Sequence, residues 1–186
     1  YLWMSNGLGL KTVTPFLYER FLIPGRQPTL ATFLFVGGSV AKKAGEKKKY
    51  TSKQMGDSCE MLVAAEMTLA GVPTLKVPDN WPDYDLIAQP LNSPPQRISV
   101  KSRTFKRKGG GVVYWITEKF DWLAIVFLPS GVEKNRRFFI IPRDLADKEA
   151  RRNKPTSKVA DMRYWFHAEV LEKFAEFENN FSLRKR

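Results

Sequence analysis

From residue 51 onward the apolar positions follow two different periods. Over the first stretch they recur at helical spacing, with Cys59, Leu62, Val63, Met67, Leu69 and Ala70 on one face. Thr51 and Gln54 stand three apart, as a capping box requires, and Gly71 with Pro73 close behind marks a helix end. The pattern predicts a helix from Thr51 to about Ala70. Beyond it the apolar runs shorten into strand-like segments: "TLKV" (74–77), "YDLIA" (84–88), "RISVKSR" (97–103), "GVVYWIT" (111–117), "WLAIVFL" (122–128) and "RFFIIP" (137–142). "QPLNSPPQ" and "PSGVEKN" read as connections, the second as a hairpin loop. Helical spacing returns in "RDLADKEARR" (143–152) and over residues 160–181, where Phe166, Val170, Phe174 and Phe177 fall in register. Helix, several strands, helix: the order predicts an α/β (α+β) fold, a central mixed sheet flanked by helices.

The first fifty residues lack this regularity. Pro15, Pro24 and Pro28 interrupt every periodic run, and residues 42–53, "KKAGEKKKYTSK", hold six lysines against one glutamate. Two regions are expected: an arm with a basic linker over 1–50 and a folded domain over 51–186. The apolar run Leu30 to Val40 is broken by Gly37 and Gly38 and is too short to span a bilayer. The chain opens at Tyr1 rather than Met, as a fragment would, and Met4 and Met55 are alternative starts.

Composition narrows the chemistry. With 43% hydrophobic and 27% charged residues the chain reads as globular rather than disordered. Cys59 is its one cysteine and His167 its one histidine. No disulfide framework and no Cys- or His-rich metal site can be built within one chain. The lone cysteine fits a cytoplasmic location. Metal chemistry would have to run on carboxylates, which suit Mg²⁺ or Mn²⁺. Thirty-one basic against nineteen acidic residues give a net charge of +12. Such a field attracts polyanions, nucleic acid first, although surface lysine for solubility or an acidic lipid surface would leave the same imprint.

Three features between Gly56 and Arg103 bear on chemistry: Glu60 on the helix, Asp85 at the head of "YDLIA", and Ser99-Val100-Lys101 on the next strand. Strand alternation puts Arg97, Ser99, Lys101 and Arg103 on one face, with Ile98 and Val100 on the other. If the two strands are neighbours, Asp85 comes near Lys101. Each residue also has a plainer reading. Glu60 could face solvent on the helix flank, Asp85 could belong to the turn with Asp83, and Lys101 could be an edge-strand lysine. Asp83 is a rival to Asp85, Asp121 reads as a strand-start residue, Glu66 as a stripe acid in need of a partner, and His167 as structural.

"GDSCEMLVAAEMTLAG", "WPDYDLIA" and "RISVKSR", in that order and spacing, resemble the PD-(D/E)XK nuclease superfamily, in particular its Holliday-junction-resolvase-like and homing-endonuclease-like branches. The resemblance covers about residues 52–180. It implies a restriction-endonuclease-like core and a metal-dependent DNA endonuclease. It makes Asp85 the central ligand of Mg²⁺ or Mn²⁺, with Glu60 and the Val100 carbonyl adding oxygens. Lys101 would orient the attacking water or stabilise developing charge. These groups are then expected to converge at one end of the sheet. DNA is the implied partner, and a homodimer is compatible, since cutting both strands takes two sites. The chain departs from the pattern at Ser99, where the superfamily carries Glu, Asp or Gln. The site is then one negative charge short, and Ser99→Glu is expected to keep the fold and tighten Mg²⁺ binding. The departure equally suits a nucleic-acid-binding domain that keeps the fold without turnover. Beside the last strand, Arg103, Lys106, Arg107 and Lys108 lead into Gly109-Gly110-Gly111, a basic loop suited to backbone phosphates. A structural or interaction protein with an unrelated α+β fold is the third class; in it Glu60, Asp85 and Lys101 would be scattered.

Overall fold

Helix α1 (Ser52–Leu69) begins where the capping chemistry places it: the Thr51 hydroxyl accepts the Gln54 N–H at 3.1 Å, and the Gln54 side chain accepts the Thr51 N–H at 2.8 Å. Its end is a Schellman turn, with Val72 N–H bonded to the Met67 carbonyl and Gly71 N–H to that of Thr68. Gly71 takes φ +87°, open to glycine without strain. Cys59, Val63 and Met67 form the buried stripe, whereas Leu69 is 83% exposed because the chain turns away there, and Ala70 is exposed with it.

The fold is a computed structural model that describes residues 50–106, 108–130 and 134–185. The arm and linker expected over 1–50 lie outside the described residues except for Tyr50, as does Arg107. After α1 come β1 (Thr74–Lys76), β2 (Leu86–Ala88), β3 (Gln96–Thr104), β4 (Gly111–Trp115), β5 (Trp122–Leu128) and β6 (Arg137–Pro142). Then follow α2 (Arg143–Glu149), β7 (Arg151–Arg152), β8 (Met162–Phe166), α3 (His167–Lys173) and a 3-10 turn at Ala175–Phe177.

Five strands build a mixed sheet in the order β1-β2-β3-β5-β6. All its neighbours are antiparallel except β3 and β5, which run parallel with Ile98 opposite Trp122. β5 is buried nearly throughout, as a central strand flanked on both faces must be. Trp122, Ala124 and Val126 pack with Ile98, Phe138 and Ile140 under the α1 stripe. Leu123, Ile125 and Phe127 point the other way, against Tyr114, Trp165 and Phe174.

That second layer departs from the expected single sheet. β4 joins β8 and β7 in a separate three-stranded antiparallel sheet. Residues 160–181 were expected as one helix, but Met162–Phe166 is a strand and only Val170, Phe174 and Phe177 bury the helical stripe. "MRYWF" also alternates, with Arg163 and Trp165 buried and Phe166 43% exposed, and β4 offers it a full partner ladder. α3 starts where the Glu169 carboxylate accepts the Phe166 N–H at 2.8 Å. Likewise the helix expected over 143–152 stops at Glu149, because Arg151 and Arg152 pair with β8. "GVVYWIT" ends as a strand at Trp115, and "YDLIA" holds strand geometry only from Leu86.

Candidate active site

Asp85 stands at the open end of β2. Its N–H is held by the Ile98 carbonyl at 2.9 Å, which fixes the residue beside β3. Its Oδ2 accepts the Val100 N–H at 2.6 Å and lies 3.5 Å from the Ser99 hydroxyl. Asp83 sits two residues earlier in an exposed turn at φ +74°. β2 and β3 are neighbours, so Asp85 does come beside the Ser99-Val100-Lys101 segment.

On the α1 side, Asp85 lines a cavity of about 270 Å³ together with Glu60, Asp57, Asp79, Lys53 and Trp81. Glu60 reaches it from the third turn of α1, and its side chain is only 16% exposed. Its Oε2 pairs with Lys76 Nζ at 2.9 Å. Lys76 also contacts Asp57 at 3.4 Å and Asp79 at 3.2 Å. The Lys76 ammonium is therefore held well above its ordinary pKa, chiefly by Glu60. Lys53 bridges Asp57 and Asp79, and both carboxyls lie below their usual range with Lys53 as the first cause.

On the other face of β3, Ser99 and Lys101 point away from α1, while Ile98 and Val100 pack beneath it. Lys101 Nζ donates to Glu118 Oε2 at 2.9 Å, and the Ser99 hydroxyl lies 3.5 Å from that same oxygen. Glu118 Oε1 accepts the Trp115 N–H at 2.9 Å, which folds the carboxylate back over the turn after β4. The structure thus places Glu60 and Asp85 on one cavity and Lys101 with Ser99 in an adjoining cluster, and Asp85 is common to both. Asp121 is spent elsewhere: it accepts three N–H bonds from Arg97, and its carboxyl is held low by that guanidinium.

Ser99 is 1% exposed and wedged between the carboxylates of Asp85 and Glu118. The expectation for Ser99→Glu rested on a solvent-facing site; Ser99 is instead buried, so a third carboxylate would enter a closed, already acidic space. Glu118 is the residue that the sequence reading missed. It lies 17 positions from Lys101, and no local pattern marks it. The parallel β3–β5 pairing, which sets Trp122 beside Ile98, carries the segment leading into β5 past the Ser99–Lys101 face.

No protein-family model and no curated protein matches the chain. Among solved structures it is similar to a bacterial homing endonuclease, I-Ssp6803I, at 18% identity, with 68% of this chain and 97% of that chain covered and a TM-score of 0.41.

The donors around Asp85 suit a hard divalent cation. They are all oxygens, and Asp85 Oδ1 and Glu60 Oε1 accept no hydrogen bond from the described residues. Among the described residues no three His, Cys, Asp or Glu side chains stand close enough to cage a metal. Mg²⁺ is ordinarily held by one or two carboxylates and keeps several waters, so Asp85 and Glu60, two of the four carboxylates on the cavity, could supply its protein ligands. Of the basic loop, Lys106 and Lys108 are exposed, while Arg103 is half-buried and donates to the carbonyls of Gly111 and Ser102. No helix among the described residues is long and apolar enough to cross a membrane.

Proposed function

We propose that the chain is a metal-dependent DNA endonuclease of the PD-(D/E)XK type, with the restriction-endonuclease-like core that this implies. The observation that carries the reading is the position of Asp85. Its carboxylate is fixed by the Val100 N–H and shared between the Glu60 cavity and the Ser99–Glu118–Lys101 cluster. Asp85 and Glu60 would hold Mg²⁺ or Mn²⁺, with the Val100 carbonyl as a further oxygen. When bound, the cation supplies an acidified water and offsets charge at the phosphate. Lys101 brings a positive charge to the developing negative charge and is positioned by Glu118. Glu118 restores the carboxylate that Ser99 withdraws from the strand pattern, from a different place in the chain. The net charge of +12 and the loop carrying Lys106 and Lys108 supply the attraction for the DNA backbone. Cutting a duplex on both strands would engage two copies.

A second reading, a domain that holds DNA without cutting it, is favoured by one observation: Glu60 and Glu118 each already face a lysine. One experiment separates the two. Plasmid nicking with Mg²⁺ or Mn²⁺ is expected from the wild type and lost in Asp85→Ala, while salt-dependent DNA binding persists in both. Binding without nicking by the wild type in either metal selects the second reading. Loss of both properties in a folded Asp85→Ala sinks the assignment of Asp85 to the cation.

A further inference from the structure

A second cavity, of about 390 Å³, opens between the first turn of α1 and the loop joining β3 to β4. Arg103, Lys106 and His167 line it, together with Ser52 and the backbone at Gly110 and Gly111, and no Asp or Glu is among its lining residues. His167 is 2% exposed. Its Nδ1 accepts the Lys106 N–H at 2.9 Å, so in the neutral ring the proton sits on Nε2. That Nε2 is buried and has no hydrogen-bond partner. The ring is packed by Phe127 at 4.9 Å and Phe105 at 5.9 Å, neither of which carries an oxygen or nitrogen acceptor. A buried donor left in this way is rare and needs an acceptor.

Three further features of the cavity call for an anion. Within α1, Gln54 N–H is capped by Thr51 and Thr51 N–H by Gln54, which leaves the N–H of Ser52, a lining residue, open at the positive end of an 18-residue helix. Arg103 pairs with no carboxylate of the described residues. Lys106 has no acidic partner among them either. Burial and the charges of Arg103 and Lys106 keep the imidazole pKa below its ordinary value, so the ring is a neutral donor at pH 7.

We propose that this cavity is a phosphate seat, in which His167 Nε2–H, Arg103, Lys106 and the Ser52 amide at the start of α1 hold the oxygens of one phosphate group. Under the DNA reading that group is a backbone phosphodiester some way from the cut; a free phosphate shares the same chemistry. The seat stands on its own geometry, and only the source of the phosphate rests on that reading.

The single histidine makes the test direct. Long-range ¹H–¹⁵N NMR of the full chain reads His167 without ambiguity, in the wild type and without dependence on any variant folding. Inorganic phosphate, titrated at constant ionic strength, is expected to move the Nε2 signal saturably. Lys106→Ala, at an exposed position, is expected to weaken that titration about fivefold. Duplex DNA is expected to move the same signal and to compete with phosphate, and movement by DNA alone also supports the seat. An Nε2 signal unmoved by either ligand overturns it; if DNA still binds by fluorescence anisotropy, the DNA reading survives. Saturable phosphate binding with no DNA binding keeps the seat, assigns it to a free phosphate, and removes the DNA reading instead.

Discussion

The Lys101–Glu118 pair decides how the cluster on β3 is held together. Both side chains are mostly buried, 22% and 18% exposed, and meet at 2.9 Å. Breaking a fully buried pair costs about 3–5 kcal/mol, and breaking a surface pair about 0–1 kcal/mol. This pair lies between those limits, at about 2 kcal/mol. Glu118→Ala also strips the Trp115 N–H of its acceptor, which adds about 1 kcal/mol. The total of about 3 kcal/mol corresponds to a melting shift of roughly 6–12 °C for a domain of this size. Glu118→Gln keeps an oxygen for Trp115 and should lose only about 1–2 kcal/mol. A double-mutant cycle of Glu118→Gln with Lys101→Met, followed by urea denaturation, isolates the pair, and a coupling of about 1–2 kcal/mol is expected. Ser99→Glu by itself should destabilise by about 2 kcal/mol or more, because its carboxylate would enter between two others. Joined to Glu118→Ala it should recover most of that loss, since the new carboxylate takes the vacated place beside Lys101. Additivity of the cycle within about 0.3 kcal/mol, or a neutral Ser99→Glu, would refute the argument that Glu118 stands in for the missing strand acid.

Lys76→Ala removes the ammonium facing Glu60, Asp57 and Asp79 and should raise Mg²⁺ affinity several-fold by calorimetry; unchanged or weaker binding counts against a cation site in that cavity. Asp121→Asn should lose about 1–2 kcal/mol at neutral pH by breaking the fork to Arg97. The Asp121 carboxyl is held below its unfolded value of about 3.9, so its stabilisation is full above that value and fades as pH falls through the folded one. The gap between wild type and Asp121→Asn should therefore narrow between about pH 5 and pH 3, and a gap independent of pH contradicts the assignment.

Much of this architecture was legible along the chain, where the controlling interactions are local. The capping box at Thr51, the Schellman glycine at 71 and the stripe through Cys59, Val63 and Met67 involve residues within a few positions of each other. The cores of six strands and the closeness of Asp85 to β3 likewise followed from short-range alternation and a single connection. Other features depended on partners far off in sequence. Residues 162–166 satisfy a helical and an alternating pattern alike, and the ladder offered by β4 decides between them. Glu118 meets Lys101 only because β3 and β5 pair in parallel, and Lys76 reaches Glu60 only because β1 lies against α1. His167 reads as an ordinary structural histidine in the sequence, and only the packing of Phe105, Phe127 and the Lys106 amide around it leaves one buried nitrogen without a partner. Periodicity determines which face of an element is buried, but the charge that meets a given side chain is set by strand order and register, which no short stretch of sequence contains.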